Sequence, residues 1–469
     1  MSPPVRSKKM AVSSLQDVAA TTGLLKPKMV RIGTMADRIP RLNRRDLLAG
    51  LGATALTPAL PSFAAAQTRP SLALQAKAGS IALRPGKPDT PIWSLQAATS
   101  SPAIRFKRGE ELGITIRNEL PVPAVLDWRG IDGVPKAEPL TARAPLVPGG
   151  SDTIQLSLRH AGTFLCGAAL LGDGQALPVR ALPLIATEGE PVSVDRDEVL
   201  LVEEWRLRSD GTAVAPGMDP KGTEPIYTLN GRTSFELSAF GNQRLRLRFI
   251  NGSQRTVLAV KLENHEPRVM AIDGQPSEPF AARNGVLVLA PGGRADAFVD
   301  TRTTSSIVLH DGKQSHQIGT LAISGYMERR APLMPAPPLP SNGLPAQLDL
   351  KSALRVELTL GGPPNEWVVP TNFAATAAPA FRAKAGRIVV LALTNRAAIS
   401  TVFHLHGHHF RLLDRLDDGW KPFWLDTLAI DPGQTQRIAF LAEYAGRWLI
   451  ESVATDWAAP RLVRWYSVE

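Results

Sequence analysis

Half of the eight histidines in this 469-residue chain fall in one hexapeptide, His404-Leu405-His406-Gly407-His408-His409. Side chains alternate between the faces of an extended strand, so His404 and His406 share a face, as two imidazoles must to reach one metal ion or two adjacent ones. The same pair also suits two partly buried histidines hydrogen-bonded to backbone, and the residues alone leave both readings open. Cys166 is the only cysteine, which excludes an intramolecular disulfide, and it reads as a small buried hydrophobe.

One pattern that would carry such a strand occurs three times, about 130 to 145 residues apart. Its first half is an alternating run that ends in Asn: Arg108-Gly109 to Asn118, Gly241-Asn242 to Asn251, and Gly386-Arg387 to Asn395. Its second half opens on a Pro-Gly turn, Pro148-Gly149, Pro291-Gly292 and Pro432-Gly433, and continues into a second alternating run. Period-two runs bounded by turn residues predict strands, and helix-period segments are scarce. The chain is therefore expected to be all-β, with three tandem β-sandwich domains over residues 67–190, 191–330 and 347–469. The proline-rich stretch 331–346 reads as a semi-rigid linker.

The formal net charge of +10 invites a nucleic-acid reading. Residues 1–66 hold ten Lys/Arg against three Asp/Glu, however, which leaves 43 basic and 40 acidic residues beyond them and no footprint for a polyanion. Those first residues read instead as a leader with a twin-arginine (Tat) signal. Asn43-Arg44-Arg45-Asp46-Leu47-Leu48 is followed by a moderately apolar stretch to Leu60 and a small-residue cleavage site ending at Ala66. Translation could start at Met1 or at Met35. Export of the folded chain by the Tat machinery to the periplasm is the expectation. No later run approaches the roughly 18 apolar residues of a spanning helix, so the mature chain is not expected to be transmembrane.

Thr401-Val402-Phe403-His404-Leu405-His406-Gly407-His408-His409-Phe410, then Asp426 to Gly433 and Ala445-Gly446-Arg447-Trp448, resembles the last domain of the multicopper oxidases. Tyr227 to Gly231, Arg248 to Asn251, Ile272-Asp273-Gly274 and Leu289 to Arg294 resemble their second domain. The resemblance implies three plastocyanin-like (cupredoxin) Greek-key domains, a mononuclear copper in the third, and a trinuclear copper site between the first and third. It also implies where the ligands would stand, and most are absent. Asp127 and Arg129 occupy positions of a His-x-His pair, Gly167 and Ala169 those of the next pair, and Thr401 that of a further His. Glu451, Ser452 and Val453 stand at a His-Cys-His segment, Trp457 at the next copper His and Leu462 at the axial Met. Only His404 and His406 remain as residual candidate metal ligands.

Copper oxidase chemistry needs an entry copper, a thiolate ligand and a three-copper cluster, and the lost ligands remove coordination free energy at each. The chain thus resembles the copper-free, Tat-exported SufI-type cell-division proteins. That resemblance implies a non-catalytic scaffold or interaction protein with no cofactor and a periplasmic protein partner, the cell-division machinery being the candidate. The alternatives are a copper-dependent oxidoreductase with unusual ligands, in which copper would be the cofactor, and a mononuclear metal-binding protein, so whether the chain is an enzyme stays open. A cavity stripped of metal needs compensating hydrogen bonds. We therefore expect the Arg129 guanidinium to be held there by Glu451 or Asp127, with His404 and His406 at the rim.

Overall fold

Leu72, Leu74 and Ala76 alternate with more exposed residues along the strand Ser71–Ile81, and the same period-two burial runs through Glu111–Asn118, where Leu112, Ile114 and Ile116 point inward. A pleated strand with one apolar face must bury that face against another layer, and six sheets do so here in pairs. The computed structural model describes residues 70–98, 101, 103–326, 333–361, 366–414 and 419–469. The leader, with Arg44, Arg45 and both candidate starts, lies outside the described residues.

In the first sandwich the strands Ser151–Ser157, Glu111–Asn118, Ser71–Ile81, Thr90–Ala97 and Val179–Arg180 face Ile104–Lys107, Leu182–Thr187, Gly162–Gly167 and Asp127–Arg129 across a core that includes Leu74, Ile114, Phe164 and Leu184. The second is drawn from Arg196–Leu207 to Ser315–Tyr326 and the third from Leu354–Leu360 to Arg461–Val468, each around its own core. The fold is all-β, with three tandem cupredoxin-like sandwiches. Helix among the described residues is confined to three 3-10 turns, Pro135–Ala137, Arg283–Gly285 and Pro370–Asn372. No helix there is long and apolar enough to cross a membrane.

The threefold sequence pattern is a threefold structural device. Glu111–Asn118, Arg244–Asn251 and Arg387–Asn395 each pair in parallel with the strand that opens their sandwich and antiparallel with the strand after the Pro-Gly turn. Each terminal Asn is wholly buried. The Asn118 side chain donates to the carbonyls of Val122 (2.9 Å) and Leu146 (2.8 Å) and accepts from the amide of Leu120 (3.0 Å). Asn251 repeats this with Thr256, Leu289 and Ser253, and Asn395 with Ile399, Ile430 and Ala397. Gly149, Gly292 and Gly433 follow the prolines with φ of 79°, 81° and 72°, the left-handed position of a type II turn, and each donates its N–H to the carbonyl of its sandwich's Asn.

The second sandwich turns an arginine face toward the first. In Arg244–Asn251, Leu245, Leu247 and Phe249 enter the apolar core while Arg246 and Arg248 on the other face are equally buried. Their charges are matched by Asp296, Asp197 and Glu188, and Arg248 also donates to Thr163 of the first sandwich (2.9 Å). The proline-rich stretch beyond residue 332 is tied to both. Asn342 bonds the backbone of Ala161 in both directions and donates to Gln275 Oε1 (2.9 Å), and Leu339 packs on Met270 and Phe298.

Candidate functional site

Glu451 sits in an apolar run, Trp448-Leu449-Ile450-Glu451-Ser452-Val453, on the central strand Gly446–Ala454, and register pairs it with His404 of Thr401–Leu405. Its carboxylate is fully buried, and a buried carboxylate persists only with cations and hydrogen bonds around it. It has three such neighbours. Arg129 from Asp127–Arg129 of the first sandwich places Nη2 3.0 and 3.1 Å from its two oxygens. Arg461 bonds Oε2 through Nη1, and His406 Nε2 lies 2.9 Å from Oε1. Burial pushes the Glu451 carboxyl up, but Arg129, Arg461 and His406 outweigh it and hold the group well below the usual carboxylate range.

His406 is gripped on both sides, because its Nδ1 lies 2.9 Å from Glu138 Oε1, a carboxylate that also accepts the Leu449 amide (3.0 Å). Burial disfavours the imidazolium, yet the two carboxylates raise the His406 pKa to about 10. Carboxylate oxygens thus face both ring nitrogens, and the ring is held as the imidazolium at neutral pH. His404 is the opposite case. Its Nδ1 donates to the Asp426 carbonyl and to Thr427 Oγ1, both at 3.0 Å, and burial followed by the Arg129 charge keeps its pKa well below the ordinary value. Its neutral ring leaves Nε2 as an acceptor with no hydrogen-bond partner among the described residues.

That nitrogen lines a small cavity of about 50 Å³ walled by Asp127, Arg129, Gly167, Ala169, Gln254, Val453 and Arg461, among others. Asp127 Oδ1, Gln254 Oε1 and Arg461 Nε, like His404 Nε2, lack partners among the described residues. A pocket of that size has room for roughly three to five waters, each needing about 10–15 Å³.

Of the residues expected here, Arg129, Glu451, His404 and His406 do meet. The guanidinium is held by Glu451, not by Asp127. Sequence reasoning missed Arg461 and Glu138; the signal for a missing cation was Glu451 itself, a charge inside an otherwise apolar strand. It also missed Arg294 of the second sandwich, a wholly buried guanidinium that donates to Asp426 Oδ1 (2.9 Å) and Oδ2 (2.6 Å) of the third and to the Thr163 carbonyl (3.1 Å) of the first. Burial pushes the Asp426 carboxyl up, but Arg294 together with His404 and His409 holds it low. Cys166 is buried opposite Trp128, and burial raises its thiol well above the ordinary range, so it is unreactive.

At the positions of the other implied copper ligands the side chains pack or pair. Trp457 is buried and donates Nε1 to the Ala215 carbonyl (3.1 Å), and Ser452 pairs in register with Phe403 and Leu462. Tested against copper, the donor set does not fit. His404, His406 and Glu451 place one ligand atom each within 4.8 Å of one another, but His406 is taken by two carboxylates, Glu451 by Arg129 and Arg461, and no thiolate stands beside them.

Two family models, both described as multicopper oxidase, match residues 197–321 and 347–469, together a little over half of the chain. Multicopper oxidase MmcO of Mycobacterium tuberculosis is 25% identical over 421 residues, 74% of this chain and 77% of that protein. Cell division protein FtsP of Haemophilus influenzae is 23% identical over 309 residues, 59% of this chain and 63% of that protein. Matches to plant and fungal laccases span less than half of their length. Among solved structures, a multi-copper oxidase from Pseudomonas thermotolerans superposes with a TM-score of 0.73 at 24% identity, covering 85% of this chain and 99% of that one.

Proposed function

The chain belongs to the multicopper oxidase family, and we propose that it is a copper-free member that works in the periplasm, after Tat export, as a non-catalytic scaffold or interaction protein. The observation that carries this reading is the occupation of Glu451. Where the family resemblance places copper ligands, a carboxylate gathers Arg129, Arg461 and protonated His406. Two guanidinium groups and an imidazolium thus supply, in organic form, the positive charge that metal ions would bring. Binding copper there would require stripping protons from His406 against Glu138 and Glu451 and placing a dication beside two arginines, with one neutral imidazole as reward. A buried, hydrogen-bonded ion cluster of this kind joins the first and third sandwiches rigidly. That suits a protein whose product is a surface and not a turnover.

The similarity to a cell-division protein makes the division machinery the candidate partner, recognised through protein surfaces. Copper content and dioxygen consumption of protein exported from copper-replete cells test the reading. At most one copper per chain, against the mononuclear and trinuclear set that the family resemblance implies, no blue thiolate-to-copper absorption and no oxidation of phenols or cuprous ion are expected. Dioxygen consumption that depends on added copper would refute it and restore the alternative of a copper oxidoreductase with unusual ligands.

A further inference from the structure

A second cluster lies where all three sandwiches meet, apart from Glu451 and from every position at which the family resemblance implies copper. Asp132 and His160 come from the first sandwich, Gln275 from the second and His409 from the third, and all four are buried. Asp132 Oδ2 is 2.6 Å from His409 Nδ1 and 3.6 Å from His160 Nδ1. The Gln275 amide nitrogen stands over the fourth side, 3.0 Å from His160 Nδ1 and 3.4 Å from His409 Nδ1. One ligand atom from each of Asp132, His160 and His409 lies within 4.8 Å of the others.

We propose that Asp132, His160 and His409 form a divalent transition-metal site of the zinc class, which fastens the three sandwiches together. Two imidazoles and a carboxylate form a donor set suited to such ions, with a fourth position left for water. In a tetrahedral site with arms of about 2.0–2.1 Å, ligand atoms stand roughly 3.4 Å apart. The Asp132–His160 separation of 3.6 Å already matches. The Asp132–His409 separation is shorter because a proton bridges it, and opens by somewhat under 1 Å when the metal takes that proton's place.

The outer contacts are those a metal ligand needs. His409 Nε2 donates to the Asp273 carbonyl (2.8 Å), which fixes the ring with Nδ1 turned inward. His160 Nδ1 faces Gln275 as an acceptor, so its lone pair already points into the cluster. The charges of Arg108 and Arg159 reach His160 and act against the metal, while Asp426 Oδ2, 3.7 Å from His409 Nε2, favours it.

The balance is explicit. M²⁺ replaces the Nδ1 proton of the His409 imidazolium, so one proton is released for each metal bound and nothing is oxidised. Untagged mature protein, stripped with a chelator and warmed with Co²⁺, should take up one ion per chain, with the strong visible bands of tetrahedral cobalt, and exchange it for Zn²⁺. Calorimetry in two buffers of different ionisation heat should count one proton released. His160→Ala and Asp132→Asn should each weaken uptake by more than about 100-fold, beyond the loss expected for an outer-shell contact. A wild-type chain that takes up no stoichiometric Co²⁺ overturns the proposal, whatever the variants do. Uptake retained in His160→Ala but abolished in His404→Ala places the ion at the other cluster and overturns it equally.

Discussion

Replacing Arg129 by alanine perturbs the Glu451 cluster at the one cation that belongs to another sandwich. The side chain is 12% exposed and makes contacts of 3.0 and 3.1 Å to a carboxylate with no exposure at all. Removing one partner of a buried ion pair costs about 3–5 kcal/mol. Glu451 would keep Arg461 and His406, so the loss should fall at the low end, about 3 kcal/mol, comparable to one strong charge-assisted contact at roughly 1.5–3 kcal/mol with some packing added. Glu451→Gln removes the anion from all three cations at once and should cost more, about 4–5 kcal/mol. Urea unfolding followed by tryptophan fluorescence reads both, since the chain carries nine tryptophans. A double substitution, Arg129→Met with Glu451→Met, should be less damaging than the sum of the single changes by at least about 1 kcal/mol, the signature of direct contact. Arg129→Ala within about 0.5 kcal/mol of wild type, or strict additivity in the cycle, would refute the claim that this bridge replaces the metal charge.

Asn395→Ala deletes four hydrogen bonds and strands the buried carbonyl of Ile430, so a loss of about 2–4 kcal/mol is expected in the same assay, and a loss below about 1 kcal/mol would deny the device its role. His406, faced by Glu138 and Glu451 with Arg129 and Arg461 beyond and His404 beside it, has a pKa of about 10 against about 6.5 in the unfolded chain. Its stabilising contribution is therefore whole below about pH 6.5 and lost as pH rises toward 10, so unfolding midpoints should fall across that window. His406→Gln should flatten the fall, and an unaltered slope would show that His406 is not its source. Cys166 should ignore a disulfide reagent in the native state and titrate as one thiol per chain in denaturant; rapid native labelling would contradict its burial. Changing Arg44 and Arg45 to lysine should hold the protein in the cytoplasm, because a twin-arginine receptor distinguishes guanidinium from ammonium, and unchanged periplasmic amounts would remove the leader reading.

The sequence by itself determined the strands, because alternation, a closing Asn and a Pro-Gly turn act within a few residues of one another. Local hydrogen bonds such as Asn118 to Leu120 and Val122 need no distant partner to be specified. It also carried the expectation of lost copper ligands, since side-chain chemistry is legible without coordinates: Asp127, Arg129, Glu451 and Ser452 stand where the family resemblance implies imidazoles and a thiolate. The Arg129–Glu451 bridge was half legible, since motif positions placed both groups at one cavity but did not choose Glu451 over Asp127. Tertiary structure alone decided the rest. Asp132 and His409 are 277 residues apart, and Arg294 binds Asp426 across 132. Pairs so distant are set by how finished sandwiches dock, and docking depends on the shapes of whole faces. The protonation of His406 was hidden for the same reason: a lone histidine titrates near 6.5, and only the buried carboxylates converging from two sandwiches make it a cation.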